Sequence, residues 1–181
     1  GVFRKAASRL AGVTNGVDFD KWNPASDTFI PAQYSESDLT GKSFCKGALQ
    51  REMKIALDPE IPLIGIITRL THQKGVDVLA DALEMLFSKR RCQFVILGSG
   101  EDWLVQRYQE LQRRYPERVG VFWGYDERLS HLFEAGLDIF VMPSRYEPCG
   151  LNQMYSMKYG TIPVVRATGG LDDTVTTWNG A

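Results

Sequence analysis

"IPLIGIIT" (residues 61–68) is a continuous apolar run rich in β-branched side chains. A strand with one wet face would alternate apolar and polar residues. This one does not, so it reads as a strand buried on both faces, the mark of a parallel sheet covered by helices. Four similar runs follow: "QFVILG" (93–98), "VGVFW" (119–123), "DIFVM" (138–142) and "IPVVR" (162–166). Helical spacing fills the gaps. Residues 75–90 put Val76, Leu79, Ala80, Leu83, Leu86 and Phe87 on one face. Ser99 and Asp102 predict a capping box that opens a helix carrying Leu104, Tyr108, Leu111 and Tyr115. Leu129, Leu132, Phe133 and Gly136 predict a short helix, and residues 150–159 and 171–178 two more. Upstream, residues 41–57 align Phe44, Ala48, Leu49 and Met53 on one face. Strand and helix alternate throughout, which predicts an α/β domain with a doubly wound parallel sheet. Residues 1–35 look irregular; "GVTNGVDFDKWNP" (12–24) is turn chemistry and reads as a surface connector.

Bulk properties exclude several classes. The 181 residues carry 21 basic and 22 acidic side chains, a net charge of −1, which predicts no general attraction to nucleic acid or membrane. No apolar run approaches the ~20 residues of a membrane span, and no signal peptide is evident. Cys45, Cys92 and Cys149 are odd in number and widely spaced, and the histidines are His72 and His131 alone. Neither a disulfide framework nor a metal site is expected, and a reducing compartment is. The chain starts at Gly1 without methionine and stops just after an expected helix, so a piece of a longer protein is expected.

Open α/β sheets bind ligands beyond the carboxyl ends of their strands. The stretches there are "RLTHQKG" (69–75), "GSGE" (98–101), "GYDE" (124–127), "SRYEPCGLNQ" (144–153) and Arg166 with "TGGLDD" (168–173). Helix starts attract anions, arginine forks match phosphate oxygens and lysine adds a point charge. Tyr125 offers a face to a base. Taken singly, each has a plainer reading. Arg69 and Lys74 are solvated charges, "GSG" is a turn, Tyr125 is packing, Cys149 is a small buried side chain and Glu147 caps a helix. Together, at one sheet edge, they describe a nucleoside diphosphate site without a metal.

"RLTHQKG", "GYDE", "PSRYEPCGLNQ" (143–153), "YGTIPVVRATGGLDDTV" (159–175) and "NGVDFDKWNP" (15–24) resemble, in order and nearly throughout the chain, the bacterial glycogen synthases and plant starch synthases. Asn152, where many members carry threonine, is more similar to some plant soluble forms. The resemblance implies a Rossmann-like domain, the C-terminal half of a two-domain GT-B retaining glycosyltransferase. It further implies a connector at 1–35, a nucleotide-sugar domain at 36–181, and a parent whose N-terminal acceptor domain and final helix are absent here. By position, Arg69 and Lys74 would bind the diphosphate and stabilise it as it leaves, and Glu147 would contact the transferred glucose. Cys149, Gly150 and Leu151, next to Asn152, would present backbone N–H groups, Tyr125 would stack on adenine, and Gly169, Gly170 and Leu171 would line the sugar-phosphate region. Many members of the wider clan carry a second glutamate eight residues after the first; Tyr155 stands there instead, as the resemblance leads one to expect of glycogen synthases, and leaves the ribose contact unassigned. The implied substrates are ADP-glucose and an α-glucan, with ADP as product, no cofactor, and neither nucleic acid nor membrane as partner. The compartment would be the cytoplasm in a bacterium or the plastid stroma in a plant. A UDP-sugar transferase of the same fold and a non-catalytic nucleotide-binding module are the alternatives, and the isolated chain is expected to bind nucleotide without transferring glucose.

Overall fold

Alternation inside each apolar run sends neighbouring side chains to opposite faces of a sheet, and here it builds two separate cores. A computed structural model describes residues 2–5 and 7–180. In chain order the elements are α1 (Val2–Lys5), a 3-10 turn (Ala7–Arg9), α2 (Thr40–Glu52), β1 (Leu63–Leu70), a second 3-10 turn (His72–Lys74), α3 (Val76–Lys89), β2 (Gln93–Gly100), α4 (Asp102–Arg114), β3 (Val119–Trp123), α5 (Glu127–Gly136), β4 (Ile139–Met142), α6 (Asn152–Lys158), β5 (Ile162–Val165) and α7 (Gly170–Thr174). The five strands pair in parallel in the order β3-β2-β1-β4-β5. On one face Ile64, Ile66, Phe94 and Ile96 meet Leu79, Leu83, Leu104 and Tyr108 from α3 and α4. On the other, Leu63, Val95, Leu97 and Phe140 meet Leu49, Leu132, Phe133 and Tyr159 from α2, α5 and the end of α6.

The expected doubly wound parallel sheet is therefore present, with local corrections. The helix expected over 41–57 stops at Glu52, because Met53 closes it and Lys54 turns left-handed at φ 56°. Its buried side chains include Cys45 and Leu49, while Phe44 is 63 % exposed. The packed face is thus one residue round from the expected one. No capping box forms, because Ser99 stays in β2 opposite Arg69. Glu101, the residue before α4, instead accepts the Trp103 indole N–H at 2.7 Å. The last helix ends at Thr174 rather than 178, where β-branched Thr174, Val175, Thr176 and Thr177 favour extended backbone. The stretch 1–35 holds two short helical turns. Edge strand β5 is not buried: Ile162 is 63 % and Val164 52 % exposed.

Polar groups also reach into the α2–α5–α6 side. Lys42 Nζ donates to the Ala135 carbonyl at 3.0 Å and to Thr161 Oγ1 at 2.7 Å. Beside it, the fully buried Glu134 accepts from Ser156 Oγ at 2.7 Å. Burial pushes the Glu134 carboxyl from 4.5 up to about 8 and pulls Lys42 down to about 8. Below pH 4.5 Glu134 is protonated in the folded and unfolded chain alike. Between there and about 8 the folded chain holds the extra proton, so stability falls as pH rises through this window. Glu134→Gln keeps an acceptor for Ser156 and removes the titration. Its urea midpoint is expected to gain on the wild type steadily from pH 5 to pH 8; parallel pH profiles for the two proteins would contradict the neutral, buried carboxyl.

Candidate active site

The strand order reverses between β1 and β4. The chain leaves the two carboxyl ends in different directions there, and a crevice opens between the loops that follow. Backbone and side chains lace these loops together. Arg145 N–H donates to the Gln73 carbonyl at 2.8 Å, and the Gln73 amide donates to the Tyr146 carbonyl at 3.0 Å. The Arg145 guanidinium grips Asp77 with two bonds, 2.6 and 2.8 Å, and holds that carboxyl down at about 2. Arg166 donates to the Arg145 carbonyl at 2.7 Å. Gly75, at φ +67°, permits the approach: a Cβ there would collide with the Pro143 carbonyl oxygen.

Across this crevice Lys74 Nζ meets Glu147 Oε2 at 2.5 Å, and Ser144 Oγ donates to the same oxygen at 3.1 Å. Glu147 is 6 % exposed. A buried carboxylate needs such partners, since removing charge from water costs more than an isolated ion recovers. Arg69, at the end of β1, is exposed and forms no ion pair among the described residues. One fixed and one free cation therefore face the same space.

That space is a pair of adjoining pockets. The first, about 300 Å³, is lined by Arg69, Lys74, Ser144, Glu147, Gly150, Leu151 and Asn152 among others. The second, about 260 Å³, is lined by Leu97, Gly98, Ser99, Gly124 and Tyr125. They share Ile67, Thr68, Arg69 and Asn152. Tyr125 is 76 % exposed, so its ring is available to a ligand rather than spent on packing. Asn152 opens α6 and donates weakly to the Ile67 carbonyl at 3.4 Å.

Seven of the residues singled out in the sequence thus come together: Arg69, Lys74, Glu147, Gly150, Leu151 and Asn152 in one pocket, Tyr125 in the next. Cys149, Gly169, Gly170 and Leu171 do not line either pocket. They form its backing. A Cβ on Gly169 would strike the Glu147 carbonyl, one on Gly170 would strike the Cys149 backbone, and Gly170 N–H donates to the Glu147 carbonyl at 3.1 Å. Leu171 is fully buried behind them. The sequence reading did not single out Ser144, Met142 or Thr68, which line the first pocket. Ser144 was legible only as a residue two places past a buried strand. Tyr155 faces away from the pockets and stacks on Trp22, ring centroids 4.0 Å apart. Among the described residues no cluster of His, Cys, Asp and Glu is arranged to hold a metal ion, and no helix is long and apolar enough to cross a membrane.

Comparison with known proteins bears on the family and the fold. The family model for glycosyl transferases group 1 matches residues 50–181. Glycogen synthase 1 of Geobacter metallireducens is 50 % identical over 97 % of this chain and 35 % of its own length. Glycogen synthase of Thioalkalivibrio sulfidiphilus is 52 % identical over 97 % of this chain and 36 % of its own. The catalytic domain of Starch Synthase IV from Arabidopsis thaliana, solved bound to ADP and acarbose, superposes with a TM-score of 0.89 at 38 % identity, covering 97 % of this chain and 36 % of that one. The chain thus spans little more than a third of the length of each of these three relatives.

The ion pair makes a stability prediction. Lys74→Ala leaves Glu147 buried without its cation and is expected to cost ~3–5 kcal/mol in urea unfolding. Adding Glu147→Gln to the same chain should return most of that loss. If the double variant is as unstable as Lys74→Ala alone, the two groups are not coupled.

Proposed function

The chain belongs to the glycosyl transferases of group 1, and from that premise we propose that it is the nucleotide-sugar half of a glucan synthase. The parent enzyme transfers glucose from ADP-glucose to the non-reducing end of an α-1,4-glucan with retention at the anomeric carbon. The observation that carries this reading is the pair of joined pockets, with Arg69 and Asn152 common to both, Lys74 and Glu147 in one and Tyr125 in the other. A nucleoside diphosphate sugar has the matching sequence of parts: an aromatic base, two phosphates and a hydroxylated ring. The relatives named glycogen synthase and the starch synthase bound to ADP favour adenine as the base and glucan as the acceptor.

In this scheme adenine lies against Tyr125 and the diphosphate sits between Arg69 and Lys74. When the bond from the glucose C1 to the β-phosphate oxygen breaks, that oxygen gains charge. Arg69 and Lys74 are already in place to stabilise it, so little reorganisation is needed at that moment. Lys74 then divides its three N–H donors between Glu147 and phosphate. Glu147 accepts hydrogen bonds from glucose hydroxyls and orients the ring, and a hydroxyl of the glucan forms the new bond to C1 as its proton passes to the departing phosphate oxygen. Backbone N–H groups of Gly150 and Leu151 supply further donors, held in place by Cys149 and the Gly169–Gly170–Leu171 packing behind them.

Residues 1–35 serve as connector and 36–181 as the nucleotide domain. The acceptor glucan is held by an N-terminal domain of the parent, so domain closure completes the site. The bacterial relatives favour a cytoplasmic setting over a plastid.

Calorimetric titration with ADP and UDP tests the reading. The chain is expected to bind ADP saturably and more tightly than UDP, and Arg69→Ala to weaken ADP about 10- to 100-fold, as the loss of a charge-assisted contact implies. Tighter UDP binding would contradict an ADP-glucose donor. With ADP-glucose and a glycogen primer the chain alone should elongate nothing while its full-length parent releases ADP; elongation by the chain alone would refute the need for a second domain.

A further inference from the structure

Trp22 occupies an unusual place. Its indole is sandwiched between two aromatic rings, His131 at 3.9 Å and 8° and Tyr155 at 4.0 Å and 7°. His131 lies on α5 and Tyr155 on α6, so the indole stands between the two helices. The segment that carries it is anchored on both sides. Asp27 Oδ2 accepts from the Tyr159 hydroxyl at 2.6 Å and pairs with His131 Nδ1 at 2.7 Å, where both groups are buried. Lys21 pairs with Glu127 at the first residue of α5, at 2.5 Å. Tyr34 donates to the Tyr159 carbonyl at 2.8 Å, and Phe29 leans on His131 at 4.9 Å.

The two helices it separates begin at the second pocket. Tyr125 precedes α5 by two residues, and Asp126 between them caps the helix by accepting from Leu129 N–H at 2.7 Å. Asn152 is the first residue of α6. Tyr125 and Asn152 both line that pocket. Two short helices, of 10 and 7 residues, thus reach the rim of a pocket that the ends of β1 and β2 otherwise line; their bodies meet through Ser156 and Glu134 and, nearer the pocket, sandwich one indole. The phosphate end is built differently. Arg69 lies at the end of β1 and Lys74 in the turn after it, and that turn is tied to the β4 loop through Arg145, Gln73 and Asp77 without Trp22.

We propose that Trp22 is a positioning residue: by fixing the spacing of α5 and α6 it sets the shape of the Tyr125–Asn152 pocket, and so couples the 18–27 segment to the grip on the nucleobase. The inference rests on the nucleotide reading above. If that segment links to a second domain, movement there reaches the base through Trp22 rather than through the phosphates. The same contact accounts for Tyr155, whose ring is committed to Trp22 and not to the ligand.

The test uses the chain with Trp22→Ala and Trp22→Phe, titrated with ADP and with inorganic pyrophosphate, alongside amide hydrogen exchange. Trp22→Ala should weaken ADP about tenfold or more while pyrophosphate changes less than about twofold. Trp22→Phe, which keeps a stacking ring, should recover most of the ADP affinity. Without ligand, exchange in Trp22→Ala should quicken at residues 125–129 and 151–155 and stay unchanged in β1 and β2. Parallel losses for ADP and pyrophosphate, exchange that rises evenly through the sheet, or no change in either would overturn the proposal. Failure of the wild type to bind ADP would count against the nucleotide reading alone, and the exchange pattern would then decide the wedge.

Discussion

The ion pair between Lys74 and Glu147 spans the one place where the sheet changes direction. Left of it β2 and β3 follow β1; right of it lie β4 and β5. The two loops there are held to each other by backbone and side-chain bonds, among them Arg145 N–H to the Gln73 carbonyl and the Gln73 amide to the Tyr146 carbonyl. A pair this buried recovers little net stability, because desolvation offsets most of the attraction. Its value lies in placement: it keeps a buried carboxylate and a partly exposed cation, each oriented, side by side in an otherwise open crevice. Ser144, Arg145, Gln73 and Gly75 follow from the need to hold that geometry.

The strands were legible because apolar runs of four to eight residues leave few alternatives, and all five lie where the sequence reading put them, within two residues. Helix ends were less so. Residues 41–57 keep a helical pattern past Glu52, and only the left-handed Lys54 ends it. Phe44 shows the limit of periodicity: α2 turns Cys45 and Leu49 inward because Gly136, with no Cβ to strike the Cys45 carbonyl or the Leu49 side chain, lets it lie close, and that choice depends on a neighbour far along the chain. At the site, charged and glycine residues after strands were found because the fold sends every such loop to one edge. Ser144 and the backing role of Gly169–Leu171 depend on contacts between loops, which no local pattern records. The Asp27–His131 and Trp22–Tyr155 contacts were invisible for the same reason.

The two cores are covered unequally. α3 and α4 seal one face over β1, β2 and β3, while Ile162 and Val164 on the edge strand remain open to solvent. On the other face a buried acid, Glu134, and a half-buried base, Lys42, reach in beside the apolar side chains. Local stability is therefore uneven: highest in the paired centre of β1 and β2, lower toward β5 and α7.

A crystal structure of the chain with ADP would test the central claim most directly. The account predicts the diphosphate within hydrogen-bond distance of Arg69 and Lys74, with adenine against Tyr125 in the neighbouring pocket. ADP bound elsewhere, or with its phosphates away from the Lys74–Glu147 crevice, would contradict it.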